Sequence, residues 1–230
     1  MCGILLSNDT ETFKKLEPEI LARGPDSKFE LEENGFKFLQ TVLQIRQPLD
    51  EELWLKSRDI GLMILFNGKI FANLESDIDL VYEAILIDFN REISEPLNLE
   101  IDLFSRIKNI YKHLNTFRNE YAMVIYDSKN ELIYFFTDDI GLRSLGFTIK
   151  DQKFTVSSFG YENFASQFHF YCYNIREKTL KLQDKFCKNE IFPYEQFDHS
   201  RIVLKYIKTS FYKRFLKEFS KKHAKEIERL

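Results

Sequence analysis

Cys2 carries the most distinctive chemistry in this sequence. Removal of Met1 would leave it with a thiol and a free α-amine on one residue. An α-amine titrates near about pH 7.7–8.0, so it is matched to take the thiol proton at neutral pH, and the thiolate is the nucleophilic form. The plainer alternative is a small buried residue in a strand, since cysteine ranks among the most buried residue types. Cys172 and Cys187 complete the set; the spacing suits no metal, and an odd number of cysteines leaves no complete disulfide framework. That fits a reducing compartment, and a cytoplasmic protein is expected. His113, His169, His199 and His223 are scattered without ligand spacing. No metal or other cofactor is expected.

The elements that must position Cys2 follow from hydrophobic patterning. The run CGILL, bounded by SNDT, predicts a buried strand. Thr10 or Thr12 can cap a helix running to Ala22, and the Gly-Pro pair of RGPD stops it. Strands are predicted over 36–45 and 60–66. The period then changes: Leu80, Val81, Ala84 and Ile85 predict a helix that Asp77 can cap, and Leu103, Ile107, Ile110, Tyr111 and Leu114 predict another. Three hairpins follow, YAMVIYD-SKN-ELIYFFT, LGFTIK-DQ-KFTVSS and FHFYCYNI-REK-TLKLQ. With 23 Phe and 11 Tyr against eight Gly and five Pro, the chain has the rings for packed layers and few breakers. No apolar run approaches the length of about 20 residues that a membrane helix needs, and no basic region precedes CGILL, so neither membrane span nor signal peptide is expected.

The segment from Arg201 to Leu230 holds ten Lys/Arg and three Asp/Glu, against the net −3 of the whole chain. Leu204, Ile207, Phe211, Phe215 and Phe219 form an apolar stripe there. A basic amphipathic helix is expected over 196–230, a linker or partner-docking element, after a domain over 1–195. Its lysines are a solvated face, because no nucleic-acid-binding motif accompanies them.

Six short stretches stand in order: MCGI, RGPD at 23–26, FNGKI at 66–70, SDIDLV at 76–81, YAMVIYD at 121–127 and DDIGLRSL at 138–145. Together they resemble the N-terminal glutamine amidotransferase domain of asparagine synthetases, a class II amidotransferase of the N-terminal-nucleophile type, and most closely the divergent branch of asparagine synthetase domain-containing proteins. The resemblance implies an α+β fold, a four-layer αββα sandwich. It implies that Cys2 attacks the side-chain amide of glutamine and releases ammonia, leaving a glutamyl thioester for water. Asn67 and Gly68 match the family's oxyanion donors, and Asp77 the carboxylate that holds the substrate ammonium. Each has a plain alternative: Asn67-Gly68 an ordinary turn, Asp77 a helix cap.

Three positions depart from the family pattern. Its carboxylate-clamping arginine falls on Leu43, with Arg46 three residues further on and on the opposite face of a regular strand. Lys69 stands where the family has a glutamate, and Thr137-Asp138 replaces its Arg-Asp. No Gly-Gly pair occurs, so the ATP-gripping loop of the synthetase half is absent from these 230 residues. The expected function is the glutaminase half of an asparagine-synthetase-like system, with a separate ATP-using synthetase partner. The alternative is a catalytically degenerate binding or scaffold subunit.

Overall fold

The computed structural model describes residues 2–43, 61–71, 81–82, 84–85, 104–116 and 118–185. All belong to one unit, Met1–Lys185. The expected helix over 196–230, Arg46 and Asp77 lie outside the described residues.

The first strand, β1 (Gly3–Ser7), is buried along its whole length because it is covered on both faces. Leu5 points toward helix α1 (Thr10–Arg23) and joins Phe13, Leu16, Ile20 and Leu39, whereas Ile4 and Leu6 point the other way, toward the second sheet. The cap of α1 is Asp9 rather than Thr10 or Thr12. Its carboxylate accepts from the Glu11 N–H at 3.3 Å and the Thr12 hydroxyl at 2.6 Å. The hydrogen bond from Thr12, together with one from Lys153, holds that carboxyl below its ordinary pKa.

Two strands follow α1, β2 (Ser27–Glu33) and β3 (Phe36–Val42), and β3 runs antiparallel to β1 with Gly3 opposite Thr41. The first sheet is completed by β7 (Gly146–Lys150), β8 (Lys153–Ser157) and the short β9 (Asn163–Phe164), in the order β2-β3-β1-β8-β7-β9. The second sheet contains β4 (Leu62–Phe71), β5 (Arg118–Asp127), β6 (Leu132–Thr137), β10 (His169–Asn174) and β11 (Thr179–Asp184), in the order β11-β10-β6-β5-β4. Helix α2 (Ser105–Leu114), together with the helical Val81, Ala84 and Ile85, covers its outer face through Ile107, Ile110 and Leu114. The layers are therefore helix, sheet, sheet, helix, and the expected αββα sandwich is the observed fold.

Aromatic rings fill the space between the sheets. Phe154 of the first stacks on Tyr173 of the second with centroids 4.1 Å apart. Phe135 stacks on Tyr171 within its own sheet at 4.8 Å and meets Phe147 and Phe154 across the gap at 5.5 and 5.9 Å.

On the outer face, Lys185 lies half-buried just past β11. Its Nζ donates to the Thr137 carbonyl at 2.5 Å and sits over the rings of Tyr111, Phe170 and Phe136, at 4.9, 5.5 and 6.0 Å. Burial lowers its pKa to about 7, against the pull of Asp139 and Asp138. Asp139 accepts from the Tyr111 hydroxyl and from Asn115, and its own pKa is raised by burial. The linkage sign follows. Between about pH 7 and the ordinary 10.5 the unfolded chain binds a proton at Lys185 that the folded chain has released, so stability rises with pH over that window. Asp139 acts oppositely, but from its ordinary 3.8 up to its raised value, and Tyr121, raised well above 10, acts only beyond it. The unfolding free energy of wild type minus that of Lys185→Met, from urea titrations, should therefore climb from pH 7 to 9.5, by at most about 1.4 kcal/mol per pH unit. A flat difference would show that the amine is charged throughout.

Candidate functional site

Cys2 is half-buried at the entrance to β1. The backbone that follows it is fixed from both sides. The Gly3 N–H donates to the Thr41 hydroxyl at 3.0 Å, and that hydroxyl donates to the Ile20 carbonyl at 2.9 Å. The Ile4 N–H donates to the Ser158 hydroxyl and the Ser158 N–H returns to the Ile4 carbonyl, both at 2.9 Å. Gly3 permits this closeness, since a Cβ there would meet Thr41 and Ile20 atoms at 2.7–2.8 Å. Gly24 of RGPD has the same role at the end of α1, where a Cβ would lie 2.5 Å from the Val42 nitrogen.

Asn67 and Gly68 are not a turn. They lie inside β4, opposite Ala122 and Tyr121 of β5. Among the described strands β4 stands last in its sheet, and the direction of its peptide groups follows from Gln40 of β3. The Gln40 amide donates to the Phe66 carbonyl at 3.1 Å, and the Phe66 N–H donates back to the Gln40 amide oxygen at 3.2 Å. Phe66 therefore turns its peptide groups away from β5, and so does Gly68, two residues on, because an antiparallel ladder alternates. The Asn67 side chain projects on the same face as Met63 and Leu65, toward the first sheet. It is 1% exposed, and its Nδ2 has no hydrogen-bond partner. Gly68 is required by packing, because a Cβ would stand 2.3 Å from the Glu120 carbonyl oxygen.

β1 and β4 touch across the sandwich, and Gln40, which sits opposite Ile4, reaches Phe66. The start of β1 and the Asn67-Gly68 stretch thus occupy one region. A buried amide with no acceptor there is an open donor beside the entrance strand of a cysteine.

No family model matches the chain. The chain is similar to an asparagine synthetase domain-containing protein of Saccharomyces cerevisiae. The two are 27% identical over 161 residues, 66% of this chain and 27% of that protein, so the chain spans about a quarter of the relative's length. Among solved structures, the glutamine phosphoribosylpyrophosphate amidotransferase of B. subtilis aligns over 81% of this chain and 43% of its own, at 14% identity and a TM-score of 0.43. A glutamine aminotransferase class-II domain protein from Silicibacter pomeroyi aligns over 64% and 73%, at 10% identity and a TM-score of 0.39. The resemblance carried by the six ordered motifs therefore has a counterpart in a curated relative.

The motif positions that depart from the amidotransferase pattern have defined surroundings. Leu43 follows β3 and is half-buried, an aliphatic side chain where the pattern has a guanidinium. Lys69 stands opposite Glu120 in the β4–β5 register, and Glu120 pairs with Arg143 at 2.5 Å. Asp138 has a structural part that sequence patterning does not disclose. One oxygen accepts the Tyr121 N–H at 2.9 Å, and the other accepts from Ile140 and Gly141 at 2.7 and 2.8 Å. It thereby fixes β5 where β5 faces Gly68. Arg23, the first residue of RGPD, reaches the Ser144 hydroxyl at 3.4 Å, while its buried Nε has no partner. Gln40 and Thr41 were also not singled out by pattern, although a Gln-Thr pair inside the apolar run FKFLQTV is itself a signal of polar work in a buried strand. Among the described residues no group of three His, Cys, Asp or Glu is arranged to hold a metal ion, and no helix is long and apolar enough to cross a membrane.

Proposed function

We propose that this chain is a class II glutamine amidotransferase domain that hydrolyses glutamine to glutamate and ammonia at Cys2, within an asparagine-synthetase-like system. The observation that carries the proposal is the Asn67 Nδ2: a buried donor without an acceptor is costly by about 1–3 kcal/mol unless a ligand completes it.

In the proposed reaction Met1 has been removed and the Cys2 α-amine takes the thiol proton. The thiolate adds to the carboxamide carbon of glutamine, and the carbonyl oxygen becomes an oxyanion between the Asn67 amide and the Gly68 N–H. Collapse breaks the carbon–nitrogen bond, the amine proton goes to the leaving nitrogen, and ammonia departs. Water then adds to the thioester with the amine again as base, yielding glutamate and the free thiol. Asp77 is assigned to the substrate ammonium and Arg46 to its carboxylate. A separate ATP-using synthetase partner would consume the ammonia.

The test is ammonia release from glutamine by protein whose intact mass places Cys2 at the N-terminus. Asn67→Ala should lower kcat about 100- to 1,000-fold, the usual effect of losing one oxyanion donor, while costing the fold little, because the Nδ2 it removes has no partner. Leu43 in the clamp position favours a second reading, a binding or scaffold subunit. Absence of turnover in the wild type, with and without a synthetase partner, would establish that one instead.

A further inference from the structure

We propose that Gln40 is a positioning residue for the reaction above, and that with Thr41 it sets the distance between the nucleophile and its oxyanion donors. The inference rests on the proposed glutaminase activity.

The two residues are neighbours on β3 and face opposite ways. Thr41 points toward α1 and holds Gly3, the residue after Cys2, through its hydroxyl. Gln40 points between the sheets and takes both the N–H and the carbonyl of Phe66, the residue before Asn67. One dipeptide thus grips the strand that begins at the thiol and the strand that carries the donors. Gln40 partners both peptide groups that Phe66 turns away from β5, in the way a neighbouring strand would. A bidentate contact of this kind fixes both the position of the edge and its rotation. Rotation matters here, because it decides whether the Gly68 N–H, on the same edge, aims at the oxyanion.

The experiment separates the two grips. Iodoacetamide alkylation of Cys2 needs a reactive thiol but no oxyanion donor. In Gln40→Met, kcat for glutamine should fall about 10- to 100-fold, while KM and the alkylation rate stay within about twofold of wild type, since a misplacement of about 1 Å has effects of that size. The Phe66 amide should exchange hydrogen faster. Thr41→Val should slow alkylation and turnover together, and Thr41→Ser should restore both. Should Gln40→Met fail to fold, Gln40→Asn keeps the carboxamide but falls short of Phe66, and the same pattern is expected. An unchanged kcat, or a parallel loss of kcat and alkylation in the Gln40 variants, would overturn the inference. A wild type without Cys2-dependent turnover would refute the glutaminase activity, and the catalytic role of Gln40 with it. Unchanged Phe66 exchange in an active enzyme would refute the bridge alone.

Discussion

Replacing Cys2 by alanine should reduce ammonia release from glutamine by about 10,000-fold or more, because loss of a covalent nucleophile removes the whole two-step route and leaves only binding and oxyanion stabilisation. No described thiol can take its place. Cys172 is buried in β10 under α2, and that burial pushes its pKa up to about 12, so it holds its proton at any working pH. The fold should not register the change. Cys2 is half-buried, precedes β1, and the bonds that fix this end run through the backbone of Gly3 and Ile4. Cys2→Ala should therefore melt within about 0.5 kcal/mol of wild type. Activity and melting together make the result decisive: equal ammonia release by both proteins would remove Cys2 from the chemistry and leave the scaffold subunit as the better account.

Phe135→Ala should have the largest effect on stability, about 3–5 kcal/mol. Phe135 is fully buried in β6, at the centre of the second sheet, and its ring touches Tyr171 beside it and Phe147 and Phe154 in the facing sheet. Truncation removes contacts on three sides at once. The surrounding side chains are large rings fixed in two sheets, so they have little freedom to collapse into the space. Urea unfolding should show a lower midpoint with an unchanged slope. Leu182→Ala, at an exposed position on β11, is the matched control and should lie within about 0.5 kcal/mol of wild type. A Phe135 variant with the midpoint of the control would mean that the sheets are joined elsewhere.

The αββα layering comes from the family resemblance, and patterning supplies the strands that fill it, because most of them are covered on both faces or alternate cleanly. CGILL, the 121–137 hairpin and the 146–157 hairpin are legible for that reason. β2 is missed: SKFELEE alternates, but its outward residues are charged, and glutamate is a poor strand former, so only its edge pairing with β3 makes it a strand. β9, two exposed residues, depends wholly on Gly146 and Phe147. At the site, the motif order points to Cys2, Asn67 and Gly68, whereas the expected strand ends at Phe66 and the observed one runs to Phe71. Periodicity cannot place that end, because Asn-Gly is also the commonest hairpin turn pair. Gln40 and Thr41 escape pattern for another reason. Their importance lies in partners 26 and 38 residues away, and no local rule reaches that far.

Gly68 and Asn67 are adjacent, yet they should fare differently under drift. The glycine is held by sterics: any side chain would strike the Glu120 carbonyl, so every descendant that keeps the sandwich must keep it, whether it hydrolyses anything or not. The asparagine has no such anchor, since its buried Nδ2 has no partner and costs the fold free energy in the absence of ligand. Once selection for turnover lapsed, mutation would erase the asparagine first and spare the glycine. The persistent glycine would therefore record ancestry alone, and on the proposed glutaminase reading the asparagine beside it would be the position that tracks selection for turnover.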